Sequence, residues 1–256
     1  MAGTAVIVGA TIASETFFTT EVYLAFLVAF LVCGAGNVIN DYFDLEIDKI
    51  NNPGRPLPSG KISLRVAHLY ALGLFIFGAA LCIFINKYAL LLAAFNSFLL
   101  YLYAWKIKKS GSIEKNFTVS YLVASPFLFG GVAVENASVT LLLALLAGLA
   151  NTGREIIKDI EDLEGDKKII KTLPVEIGVE KSAVLASTFI LAAVLISPLP
   201  YVFGILSINY LVAVALADAV FVYAALNLKS KKAREAQKLV KLGMFFGLVA
   251  FLAGSL

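Results

Sequence analysis

Residues Tyr23–Asp48 read "YLAFLVAFLVCGAGNVINDYFDLEID". The run as far as Gly36 is apolar enough to lie in lipid. Four carboxylates, Asp41, Asp44, Glu46 and Asp48, then fall within eight residues. A soluble core would not tolerate that many acids beside such a segment, and a plain membrane anchor would not need them. The stretch therefore reads as a transmembrane helix that opens onto a chemical site.

The rest of the chain has the same character. Of its 256 residues 60% are hydrophobic and 15% charged, with mean hydropathy +0.87. Soluble domains carry about 25% charged residues, so this is an integral membrane protein. Apolar runs lie near 1–13, 22–40, 65–85, 88–105, 117–134, 138–157, 181–197, 207–228 and 238–255. At 1.5 Å rise per residue, a run of about 20 crosses the hydrocarbon. The expected fold is all-α: a polytopic bundle of about nine transmembrane helices around a central cavity. No Ser-, Pro- or Gln-rich linker divides it, so residues 1–256 form a single domain. The first run, "MAGTAVIVGATIA", is short for a span and has no basic segment before it, so it does not read as a signal peptide. Its helix is expected to start upstream.

Orientation follows from the basic residues. Twenty of the 21 Lys and Arg lie in alternate connections, between runs two and three, four and five, six and seven, and eight and nine; only Lys87 falls on the other side. The positive-inside rule makes the basic side cytoplasmic. The protein is thus a multi-pass cell-membrane protein whose long loops, at 41–64 and 158–180, face the cytoplasm. Long loops are where function concentrates. Nothing in the chain calls for a nucleic acid or an obligate protein partner. Cys33 and Cys82 both sit in apolar runs and read as buried small hydrophobes. The lone His68 reads as an interfacial side chain. Asp218 lies inside the eighth run, with Asn209 or a backbone donor as its expected partner. Gly130–Gly131 reads as close helix packing.

The decisive pattern is a repeat. Asp41-x-x-Asp44-x-x-x-Asp48 recurs as Asp159-x-x-Asp162-x-x-x-Asp166, each at the cytoplasmic end of an even-numbered run. On one helix these offsets place three carboxylates within about 60° of each other. Asn37 and Glu155 fall on the same two faces, while Glu161 and Glu164 point away toward solvent. Three carboxylates on one face repel one another, and a hard divalent cation is the natural remedy. Mg²⁺ takes one or two carboxylates per ion, with water and phosphate oxygens completing its shell. Two such faces across a bundle mouth could clamp a diphosphate, with Lys and Arg neutralising the remaining charge. A solvated helix end explains one such cluster but not two of identical spacing.

Asn40-Asp41-x-x-Asp44-x-x-x-Asp48 followed by "NNPGRPLPSGKIS", together with the later aspartate motif, resembles the UbiA superfamily of intramembrane prenyltransferases. "YAWKIKKSGSIEKNFTVSYL", Tyr103–Leu122, is similar to that family's tyrosine–lysine loop after the fourth span. The resemblance covers nearly the whole chain. It implies nine helices around a cavity, with both motifs at its cytoplasmic mouth and Mg²⁺ holding a prenyl diphosphate. Asp41, Asp44, Asp48, Asp159, Asp162 and Asp166 would bind the metal and carry the catalysis. Asn40 would complete the shell, with Asn37 and Asn151 in support, and Arg55, Lys106, Lys108 and Arg154 would contact phosphate oxygens. Tyr103 or Tyr101 would face the allylic cation. The resemblance implies an Arg-Pro-x-Asn segment at the start of the first span, and this sequence begins just past where it should be. Within the superfamily, the short outer loops and the opening stretch most resemble the archaeal enzymes that add a second geranylgeranyl chain to a lipid-like glyceryl phosphate ether. An aromatic acceptor would use the same diphosphate site. A cation transporter would instead need acids near the midplane. A CDP-alcohol phosphotransferase would need an Asp-Gly-x-x-Ala-Arg run that "DYFDLEIDKI" lacks.

Overall fold

A computed structural model describes residues 2–14, 19–110, 113–163, 172–228 and 233–255. Among the described residues nine principal helices follow one another: α1 (Ala2–Ser14), α2 (Thr20–Phe43), α3 (Leu64–Leu81), α4 (Lys87–Leu102), α5 (Ile113–Ala133), α6 (Ala137–Glu161), α7 (Val179–Ile196), α8 (Ile208–Leu226) and α9 (Ala233–Gly254). Eight of them, all but α1, are long and apolar enough to cross a membrane. Large apolar side chains such as Phe30, Ile76 and Leu195 point outward, with 65–81% of their surface exposed. Helices suit this setting because each satisfies its own backbone polar groups. Their starts are set by short polar caps: Thr19 accepts from the Val22 amide, Ser63 from Val66 and Asn86 from Ala89.

α1 is an interior helix. Nine of its 13 residues are buried, and it packs mainly against α5 and α2. The contact with α5 is backbone on backbone. A Cβ on Gly130 would stand 2.2 Å from the Val6 carbonyl oxygen, and one on Gly9 2.3 Å from that of Phe127. Gly131 is equally tight against Thr140 of α6, so the expectation of close packing here holds. At the other end of this contact, Asn136 donates to the Ala13 carbonyl at 2.7 Å. Around the α1–α5–α6 spine, α2, α3 and α4 share one apolar cluster, while α6, α7, α8 and α9 share another.

Three residues, Cys33, Asp218 and Glu161, sit differently from expectation, and His68, half-buried near the start of α3, gains named partners. Cys33 is exposed, since its face of α2 is turned toward a cavity rather than into the packed core. His68 bonds the Tyr101 hydroxyl at 3.2 Å and stacks on Tyr42. Asp218 takes its hydrogen bond from the Ser197 hydroxyl at 2.6 Å, not from Asn209. Glu161 is paired with Arg234 of α9 at 2.9 Å rather than facing solvent.

Candidate active site

The first acidic cluster straddles a break. α2 ends at Phe43, Asp44 is the junction, and a short helix runs over Leu45–Asn51. The three aspartates therefore do not share one unbroken face. Asp41 and Asp48 converge on Arg55, whose guanidinium donates to them at 3.3 and 3.0 Å. Asp44 turns instead to the Lys108 ammonium. Asn40 lies beside them with a buried Oδ1 that has no hydrogen-bond partner among the described residues, and Asn37 is exposed.

The second cluster is split by depth. Asp159 is 3% exposed and is held from α5 on both oxygens, by Lys115 at 2.5 Å and Asn116 at 3.0 Å. Asp162, at the end of α6, is exposed. Asp166 lies outside the described residues. One turn deeper than Asp159, the buried Glu155 accepts from Arg154 at 2.6 Å. Arg154 also donates to Asn151 at 3.2 Å, and Asn151 donates to Ser120 at 3.3 Å. Lys115, Asn116 and Ser120 were not singled out from the sequence. An isolated polar residue in an apolar run has many uses, but Asn116 and Ser120 stand four apart on one helical face and could have been noticed as a polar stripe.

Between α4 and the following loop, Tyr103–Ile107 forms a π turn in which the Lys108 amide bonds the Tyr103 carbonyl. On an ordinary α-helix an offset of five separates two side chains by about 140°; the wider turn brings Tyr103 and Lys108 toward the same mouth. Such turns recur at functional sites. Tyr103 lines one cavity together with Asn40 of α2 and with Glu155 and Lys158 of α6, so the ends of α2 and α6 border a single cavity. Tyr101 instead faces His68 and Phe43, outside it. Lys106 is exposed on the turn.

A cavity of about 340 Å³ opens from this mouth. Asn40, Tyr103, Glu155 and Lys158 line its polar end, and Val28, Ala29, Leu122 and Phe129 its apolar depth. Pro126 also lines it, at a position where the missing amide and the ring loosen the helix. Among the described residues no three Asp, Glu, His or Cys converge on one point. The donors are nonetheless hard oxygens, few per position and joined by the orphaned Asn40 Oδ1. That suits an ion such as Mg²⁺ whose remaining ligands come from phosphate and water.

The model of the UbiA prenyltransferase family matches residues 2–249. The chain belongs to that family. It is 45% identical over its full length to a digeranylgeranylglyceryl phosphate synthase from Methanopyrus kandleri, covering 95% of that protein. It is 48% identical over 91% of its length to the one from Methanocaldococcus jannaschii, covering 83% of it. A solved digeranylgeranylglyceryl phosphate synthase structure superposes with a TM-score of 0.91 at 44% identity, over 99% of this chain and 92% of that one. A UbiA homolog from Archaeoglobus fulgidus bound to GPP and Mg²⁺ shares the fold, with a TM-score of 0.66 at 15% identity over 98% and 94%. This UbiA-family chain is therefore a multi-pass membrane prenyltransferase, and the transporter and phosphotransferase readings fall away.

Arg55→Ala tests the mouth. If Arg55 exchanges Asp41 and Asp48 for diphosphate oxygens, its loss removes a charge-assisted contact worth about 1.5–3 kcal/mol. The KM for donor should rise about 10–100-fold with a smaller change in kcat, measured by radiolabelled transfer across a donor titration.

Proposed function

We propose that this protein transfers a geranylgeranyl group from geranylgeranyl diphosphate to the free hydroxyl of geranylgeranylglyceryl phosphate, forming the second ether bond of an archaeal membrane lipid. The observation that carries this reading is the cavity, which joins a mouth of paired acids and cations to an apolar interior. The donor has the same two parts, and the similarity to the synthases over the whole chain supports this acceptor.

Asp41, Asp44 and Asp48, with Asp159, Asp162 and Asp166, would hold Mg²⁺, and Asn40 Oδ1 would join them. When bound, the ion supplies positive charge against the leaving diphosphate. The chain's own cations do related work: Arg55 and Lys108 already stand against Asp41, Asp48 and Asp44 and can turn to phosphate oxygens, while Arg154 and Lys158 stand at Glu155 on the same mouth. Charge on the diphosphate grows as the allylic C–O bond breaks, so these contacts tighten in the transition state. The Tyr103 ring borders the space where the cation forms, and the apolar wall keeps out water that would quench it. The basic residues of the alternate loops support a cytoplasmic mouth.

The test is purified protein in detergent with geranylgeranyl diphosphate, Mg²⁺ and a panel of acceptors: geranylgeranylglyceryl phosphate, 4-hydroxybenzoate, a naphthoate and haem. Mass spectrometry should find the doubly prenylated glyceryl phosphate, and chelating the Mg²⁺ should stop its formation. A prenylated aromatic instead would move the protein to another branch of the family.

A further inference from the structure

On this reading, the acceptor hydroxyl must lose a proton as it attacks, and none of the five described aspartates of the two motifs lines the cavity where it attacks. Among the described residues Glu155 is the one carboxylate that does. It lies four residues before Asp159, about 6 Å deeper along α6. This is the level just below a diphosphate held at the mouth, and it is where the first carbon of the prenyl chain has to sit. Tyr103 borders the same neck, within the field of Glu155.

The two oxygens of Glu155 differ. Oε1 is tied to Arg154 at 2.6 Å, and Arg154 is itself fixed through Asn151 to Ser120. Among the described residues the nearest cation to Oε2 is Lys158 at 3.9 Å, beyond hydrogen-bond reach, and no other partner reaches it. The carboxylate is thus held in place by one oxygen while the other keeps its lone pairs. We propose that Glu155 is a catalytic residue that takes the proton of the acceptor hydroxyl. The bond from the first prenyl carbon to the diphosphate oxygen breaks with its electron pair leaving on the diphosphate. The acceptor oxygen then bonds to that carbon, and its proton passes to Oε2. The protonated ether is a strong acid, so even a carboxylate paired with arginine is basic enough.

Glu155→Gln keeps the shape and a carbonyl for Arg154 but cannot accept a proton. Ether formation should fall about 10²-fold or more, the low end for a lost general base. Two other readouts should persist: binding of a thio-linked donor analogue that does not ionise, within about threefold, and scrambling of a bridging-oxygen isotope label within the diphosphate, which reports reversible ionisation. Glu155→Asp should recover part of the transfer. Near wild-type transfer by Glu155→Gln would leave the diphosphate as the base and overturn the proposal. So would loss of isotope scrambling together with transfer, since Glu155 would then act on ionisation. If the wild-type protein ionises the donor but prenylates no hydroxyl acceptor, the functional reading fails instead.

Discussion

Asp44→Ala should lower prenyl transfer at saturating donor and Mg²⁺ by about 10³-fold, the scale of losing a pre-organised electrostatic group. Asp44 sits at the junction between α2 and the Leu45–Asn51 helix and holds the Lys108 ammonium. Its loss removes a hard oxygen donor and leaves Lys108 to drift. The fold should survive, because the junction is made by backbone bonds, Asp44 to Asn40 and Asp48 to Asp44, each at 2.9 Å. Asp44→Asn separates charge from shape. An equal loss assigns the effect to the negative charge, and a mild one assigns it to packing. Turnover near wild type in the alanine variant, with an unchanged elution profile in detergent, would take Asp44 out of the metal shell.

The second large effect concerns stability. Gly130→Val places side-chain carbon where the Val6 carbonyl and the Ala10 amide already stand, 2.2 and 2.7 Å from the first added atom. Neither is the end of a flexible side chain, so α1 must move bodily off α5. Overpacking of this kind costs about 3 kcal/mol, which lowers Tm by roughly 6–12 °C for a chain of this size. Gly148→Ala is the control, since its added carbon meets only Ala124 at 3.7 Å. Scanning fluorimetry in one detergent compares the two. Equal melting points would mean that α1 is not held by this contact.

The helices were legible because lipid imposes a single length and a single polarity on each, and twenty basic residues mark the alternation. The ends of α2 and α6 were legible as acidic, because repeated spacing survives in the letters. What the letters hide is how each acid is neutralised. Asp159 belongs to α5 as much as to its own helix, through Lys115 and Asn116, which lie more than forty residues away. Counting at 100° per residue put Asp41, Asp44 and Asp48 on one face, but the break at Asp44 sent the middle carboxylate to a different cation. Tyr101 and Tyr103 were equivalent candidates in the sequence; only packing could assign one to His68 and the other to the cavity.

The π turn over Tyr103–Ile107 also bears on how relatives of this chain are compared. It stores one surplus residue in a local swelling, so the helical register before it and the lysine after it are both preserved. A cousin with tyrosine and lysine four apart on an unbroken helix would offer the same two groups to the same ligand. Aligning such chains letter by letter would match that lysine with Ile107, whereas spatial superposition would match it with Lys108.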